Sequence, residues 1–320
     1  MRLQIFHRTR YEYEDYARES FNEARLCPVT DAAQTCIKHE IITFPKASVH
    51  EYLDLHYNLV QYFEIPEPHL ELVVDSVSEV ETHPPPPPAS EARGFSFDAL
   101  HELIQMLNCY EMIEPSEYVS VEPEFWRLAI DVCDGETDVW QCANRLMKYI
   151  RANFVYDQTA TNVYTRMPEA MSKKRGVCQD FAHILIGLCR CLKIPARYVS
   201  GYIFSNTSKD NLLGSQATHA WVEVLLPGIG WLGLDPTNNQ AVNEHYVKVA
   251  VGRDYADVPP LKGTYLGPPT RKFEVIVSVN RIEENAKQST CWWIYTQPKT
   301  ILPELDTLLC DVVTSPRRIE

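Results

Sequence analysis

No stretch of this chain stays apolar for the roughly 20 residues that a membrane-spanning helix needs. Nor is there an apolar signal core at the start: Met1-Arg2-Leu3-Gln4-Ile5-Phe6-His7-Arg8 runs straight into charge, so no secretory leader is read there and a cytoplasmic location is expected. Positive charge is scarce, with 30 Lys and Arg against 43 Asp and Glu and a net charge of −13. An acidic surface repels phosphate backbones and anionic lipid heads, which argues against nucleic acid and membranes as partners. The ten cysteines, at 27, 36, 109, 133, 142, 178, 189, 191, 291 and 310, do not group into Cys-x-x-Cys pairs with nearby histidines. A structural zinc site is therefore not expected, and no other metal set or cofactor motif is present. No internal repeat is visible.

What the chain does have is material for a core. Of its 320 residues 45% are hydrophobic and 23% charged, an ordinary globular balance of a size that suits two domains. Such a chain needs no disulfide staples, so most cysteines read as small buried hydrophobes in a reducing compartment. Residues 1–82 read as strands. Leu3, Ile5, Tyr11 and Tyr13 share one parity while Gln4, Arg8, Arg10 and Glu12 share the other, and Leu70, Leu72 and Val74 alternate again. This predicts an N-terminal antiparallel β-sandwich domain. Pro84 to Pro88 mark a stiff linker over residues 83–95. The period then changes to that of helices: Leu100, Leu103, Ile104 and Leu107 share one face, Thr137 stands as an N-cap before the Val139–Ile150 face, and a third helix is expected over about 178–192. Strands follow at 197–204, 218–226 and 231–235. The order predicts an α+β core over residues 96–280, and residues 281–320 form an extension of unknown role.

The chemistry concentrates in three places. In Arg175-Gly176-Val177-Cys178-Gln179-Asp180-Phe181, Gly176 allows a tight turn and Cys178 opens a helix. Free N–H groups and the positive end of the helix dipole favour thiolate there, and the Cys178 N–H is a candidate oxyanion donor. A cysteine at such a place is more often structural, so this motif alone carries little. In 217–226, alternation puts Ala220, Val222, Val224 and Leu226 on a core face and His219, Trp221 and Glu223 on the other, read as a polar face lining a cleft. Pro227-Gly228-Ile229-Gly230 turns the chain into Trp231–Asp235. A three-residue loop over 227–229 would pair Leu226 with Gly230 and make Asp235 a diagonal neighbour of His219, within reach of its ring. Cysteine, imidazole and carboxylate in that relation suit acyl transfer at neutral pH: the thiol attacks, the imidazole shuttles a proton, and the carboxylate orients the ring.

Together, Gly176-Val177-Cys178-Gln179-Asp180-Phe181-Ala182-His183, Pro195-Ala196-Arg197-Tyr198-Val199-Ser200-Gly201-Tyr202, His219-Ala220-Trp221, Leu234-Asp235-Pro236-Thr237 and Gly252–Pro260 resemble the bacterial transglutaminase-like proteins, a group often described as cysteine proteases. The N-terminal strands resemble the β-domain that precedes the core in the same proteins. The resemblance implies a papain-like α+β core with Cys178, His219 and Asp235 as its catalytic triad. It leaves the reaction open among peptidases or amidases acting on a protein or peptide substrate, true transglutaminases, peptide N-glycanases and forms without activity. Hydrolysis is favoured because water is always present, whereas an amine acceptor needs its own site. An arylamine acetyltransferase is a weaker reading, since one of its two expected glycines is missing before Cys178. A binding or scaffold protein that retains the fold is the reading from outside enzymology.

True transglutaminases take a second oxyanion donor from an indole upstream of the cysteine. Here Trp140 falls on a helix and reads as core, so the Tyr156 hydroxyl is the expected donor. Asp180 is expected to cap the nucleophile helix or orient a neighbour, and His183 to be an ordinary helix residue. Trp221 is expected either to shield the Cys–His pair from water or only to pack. Arg253 and Asp254 are expected to pair with each other or to face the cleft.

Overall fold

The computed structural model describes residues 1–84, 94–205, 213 and 218–282. Most of the proline-rich linker, the C-terminal extension beyond 282, and Cys291 and Cys310 lie outside those residues.

The N-terminal region is built on one long strand, β1 (Arg2–Ala24). Its first half alternates as the sequence predicts, burying Leu3, Ile5, His7, Thr9 and Tyr13. Around Glu19, which sits at a left-handed φ of 47°, the register shifts and the buried parity changes to Ser20, Asn22 and Ala24. The strands β2 (Gln34–Phe44), β3 (Val49–Leu53), β4 (Leu59–Ile65) and β5 (His69–Thr82) join β1 in the antiparallel order β2-β5-β1-β4-β3.

The chain then turns helical: α1 (Phe97–Leu107), α2 (Pro123–Cys133) and α3 (Val139–Asn153). The cap of α3 is Asp138 rather than the expected Thr137. The reason lies in its two oxygens: Oδ1 accepts from Gln141 N at 3.0 Å, and Oδ2 accepts from Gly94 N and Phe95 N at 2.8 and 3.0 Å, tying the approach to α1 to the start of α3. A hydroxyl has no second oxygen for that. After β6 (Val155–Tyr156), α4 (Met167–Lys173) and β7 (Arg175–Gly176) comes α5 (Cys178–Cys191), which is buried from Gln179 to Cys191. A helix apolar on nearly all sides belongs inside. It lies between α2, α3 and α4 and an antiparallel sheet of β8 (Ala196–Ile203), β9 (His219–Leu226), β10 (Gly230–Asp235), β11 (Gln240–Ala241) and β12 (Tyr246–Gly252), ordered β11-β10-β9-β8-β12. The one guanidinium in this helix, Arg190, is fully buried. It is satisfied by the carbonyls of Met112, Glu114, Ala196 and Arg253 and by Ser116 Oγ.

Residues 261–280, assigned from sequence to the core, instead return to the N-terminal sheet. Strands β13 (Leu261–Leu266) and β14 (Thr270–Arg281) both run antiparallel to β1. Val277 and Val279 pack where Leu3 and Ile5 meet the second sheet, so β14 closes an edge that β1 would otherwise leave open. The two sheets share an apolar cluster of Leu3, Ile5 and Val80 with Tyr202, Phe204, Val247 and Val249. Two amide side chains then act as strand partners for β12. Gln34 bonds Lys248 through both its N–H and its carbonyl, and Asn58 does the same for Val251 at 2.8 Å each way. Among the described residues, no helix is long and apolar enough to cross a membrane.

Removing the Asn58 amide leaves the buried N–H and carbonyl of Val251 without their partner. Asn58→Ala is expected to lower the unfolding free energy by about 2–4 kcal/mol in chemical denaturation. A loss below about 1 kcal/mol would show that water or a rearranged loop takes over the pairing.

Candidate active site

The short parallel pairing of β6 with β7 sets Tyr156 opposite Gly176, two residues before the start of α5. Gly176 contributes space there rather than an unusual φ, because a Cβ would sit 2.8 Å from Asp180 Cβ. This closeness lets the Asp180 carboxylate reach back over the first turn. Its Oδ2 accepts from Val177 N at 2.8 Å and from the Thr161 hydroxyl at 2.6 Å. Val177 has no capping side chain of its own, so Asp180 performs that task from the third helical position. Burial pushes the Asp180 carboxyl up to about 6, against the pull of these two bonds. Cys178 opens the helix and is half-buried.

His219 and Asp235 arrive from the hairpin β9–β10, whose register is the one expected, with Leu226 opposite Gly230 and Val222 opposite Leu234. Asp235 is the diagonal neighbour that this register makes it, and His219 Nε2 lies 2.9 Å from Asp235 Oδ2. Neither side chain has any solvent exposure. Asp235 is held by further donors. Asn238 Nδ2 and the Tyr246 hydroxyl both donate to Oδ2 at 2.7 Å, and the Thr237 and Asn238 N–H groups donate to Oδ1 at 2.8 and 3.2 Å. Burial works against the charge on Asp235, but His219 and these donors outweigh it and keep the carboxyl below its usual range. On the ring, burial likewise disfavours charge. The Asp235 carboxylate, with a smaller contribution from Cys178, overcomes that and raises His219 to about 10. Nδ1, the other ring nitrogen, is buried with no partner of good hydrogen-bond geometry. With Nε2 committed to Asp235, Nδ1 is the nitrogen left for the thiol.

The face of β9 that carries His219, Trp221 and Glu223 is not the open cleft expected from its polar residues. All of β9 is buried. Glu223 is matched by Arg197 at 2.6 Å and Lys248 at 2.5 Å, and these cations hold its carboxyl low despite burial. Trp221 is 1% exposed, lies nearly parallel to the His219 ring at 6.2 Å and meets Tyr246 edge-on at 5.3 Å. It packs, and in packing it covers one side of the imidazole. Trp140 is buried in the helical core. His183 stacks on Tyr118 at 5.2 Å and accepts from Tyr255 N, while burial lowers it to about 4. Arg253 pairs with Asp257 and not with Asp254, which is buried and accepts from Tyr118 N at 2.7 Å. Thr161, Asn238 and Tyr246 were not anticipated. Asn238 lies three residues after Asp235, close enough for a turn contact to be guessed, but nothing local signals the other two. Among the described residues no cluster of His, Cys, Asp and Glu has a metal-binding arrangement.

Two family descriptions match this chain. Residues 127–236 fit the transglutaminase-like superfamily core, and residues 3–81 fit the bacterial transglutaminase-like N-terminal region. The chain belongs to the transglutaminase-like superfamily. An uncharacterized protein of Mycobacterium leprae is 33% identical over 284 residues, covering 88% of this chain and 99% of the relative. A crystal structure of a candidate cysteine protease from Cytophaga hutchinsonii shares the fold, with a TM-score of 0.67 at 21% identity over 88% of this chain and 92% of that one. A protein-glutamine gamma-glutamyltransferase of Pseudomonas aeruginosa is 36% identical over 104 residues, 30% of this chain and 16% of that protein. The matched transglutaminase-like core begins in α2 and ends one residue after Asp235, so it contains Cys178, His219 and Asp235 and excludes Tyr246.

The raised Asp180 carboxyl makes a signed prediction. A group whose folded pKa lies above its unfolded value favours the fold below the unfolded pKa and loses that advantage as pH rises through the folded one. The stability of the wild type relative to Asp180→Asn, which keeps an acceptor oxygen, should therefore fall between about pH 4 and about pH 6 and level off above. A difference that is flat across this range would place Asp180 in a more polar setting than described.

Proposed function

We propose that this chain is a thiol-nucleophile acyl-transfer enzyme acting on amide bonds of proteins or peptides, with Cys178, His219 and Asp235 as its triad and water as the acceptor. The observation that carries the reading is the solvent-free His219–Asp235 contact at 2.9 Å, beside a cysteine at a helix start. Buried ion pairs are weak evidence for stability, so a fully desolvated one beside a nucleophile argues for chemistry. In this reading the core is papain-like, with the nucleophile on a helix and its partners on adjoining strands, and the halves of the N-terminal sheet form the expected sandwich.

The steps follow from the groups present. In this reading the thiol proton already rests on His219 Nδ1, so Cys178 Sγ attacks the acyl carbon directly, and the carbonyl oxygen becomes an oxyanion facing the Cys178 N–H. The Tyr156 hydroxyl is the proposed second donor, as β6 sets its backbone against the nucleophile turn. Collapse breaks the carbon–nitrogen bond, and the leaving amine takes the proton from His219, leaving a thioester. Water then gives a proton to His219 and adds to the thioester carbon; the carbon–sulfur bond breaks with its electron pair on Sγ, releasing a carboxylic acid and restoring the Cys178 sulfur beside the His219 imidazolium. Asp235 keeps its charge throughout and stabilises the imidazolium. An amine in place of water would make the same site a transglutaminase. The named activity of the Pseudomonas relative favours keeping this second reading.

A mixture of glutamine-containing peptides incubated with the protein and a biotinylated primary amine separates the outcomes by mass spectrometry. We expect cleaved or deamidated peptides with the wild type and none with Cys178→Ala or His219→Ala. Biotin adducts without hydrolysis would replace the hydrolase reading by transferase, and no product of either kind would favour a binding or scaffold protein.

A further inference from the structure

Tyr246 opens β12, outside the matched superfamily core, and reaches the site from the opposite end of the sheet order. Its hydroxyl donates to Asp235 Oδ2 at 2.7 Å and accepts from Gln240 Nε2 at 2.8 Å. A phenol has one proton. With Gln240 occupying a lone pair of the oxygen, that proton is directed to the carboxylate. The ring is 4% exposed and locked edge-on against Trp221, which itself lies along His219. Its position is therefore fixed by packing before any bond to Asp235 is counted.

We infer that Tyr246 is a positioning residue of the proposed reaction: aimed by Gln240 and fixed by Trp221, it holds Asp235 Oδ2 toward His219 Nε2. This rests on the triad reading above. The ionisable groups facing Asp235 are His219 on β9 and Tyr246 on β12, and Cys178 of α5 acts through the ring. Asn238, the remaining side-chain donor, is neutral. If the phenol donor is lost, the buried carboxylate takes a proton at higher pH. Burial alone disfavours the imidazolium, so a neutral Asp235 leaves a neutral ring, and Cys178 loses the cation beside it.

The test is the rate of Cys178 alkylation by iodoacetamide from pH 3 to pH 8, read at each cysteine by mass spectrometry, in the wild type, Tyr246→Phe, Gln240→Leu and His219→Ala. Tyr246→Phe keeps the ring and its contact with Trp221. The pH at which Cys178 reactivity collapses on the acid side is expected to rise by about one unit in Tyr246→Phe. Gln240→Leu should shift it in the same direction by less, and His219→Ala should lose the fast reaction at pH 7. Acid limbs that superimpose on the wild type while His219→Ala is silent would overturn the role of Tyr246 and leave the triad reading standing. Reactivity indifferent to His219→Ala would overturn both. Should Tyr246→Phe fail to fold, Gln240→Leu decides alone, and an unshifted limb there overturns the inference.

Discussion

The imidazole of His219 and the carboxylate of Asp235 meet at 2.9 Å with no access to solvent, and much of the surrounding structure is arranged around that contact. Withdrawing two charges from water costs more than their attraction returns unless the remaining lone pairs and protons are also satisfied. Asp235 meets this condition with five donors shared between its two oxygens. The ring is covered on one side by Trp221 and keeps only Nδ1 uncommitted. Removing either partner would leave an uncompensated charge in the interior, so the pair stands or falls together.

The rest of the fold serves to bring that pair to Cys178. Helix α5 is packed from both sides, and its first turn is fixed by Asp180 reaching back to Val177 and across to Thr161. The hairpin β9–β10 sets His219 and Asp235 on one face of the sheet, and β12 returns beside β8 to deliver Tyr246. The outer edge of β12 is in turn paired by the amides of Gln34 and Asn58. The N-terminal region thus braces the strand that carries Tyr246.

Local patterns in the sequence reveal what is decided locally. The alternation of Leu3, Ile5 and Tyr13, the helix opening at Cys178 and the loop length that sets the β9–β10 register each depend on neighbours within a few residues, and each is found as read. The misreadings all involve partners far away in the chain. The run from Thr270 to Asn280 reads as core because nothing within it reveals that β1, more than 250 residues earlier, needs a neighbour. His219, Trp221 and Glu223 look like a cleft wall because alternation cannot show that Arg197 and Lys248 neutralise the glutamate and that Tyr246 covers the indole. Thr137 reads as the cap of α3 because the second duty of Asp138, toward Gly94 and Phe95, exists only in the folded chain.

The most direct measurement is the titration of His219 itself. In protein labelled at histidine with nitrogen-15 and carbon-13, its ring resonances can be identified by their loss in His219→Ala and followed from pH 5 to pH 11. If Asp235 and Cys178 hold the ring as an imidazolium, its midpoint lies near 10, far above that of an ordinary histidine. A midpoint at or below about 6.5 would mean that burial wins. The ring would then be neutral at physiological pH, and the charged pair at the centre of this account would not exist.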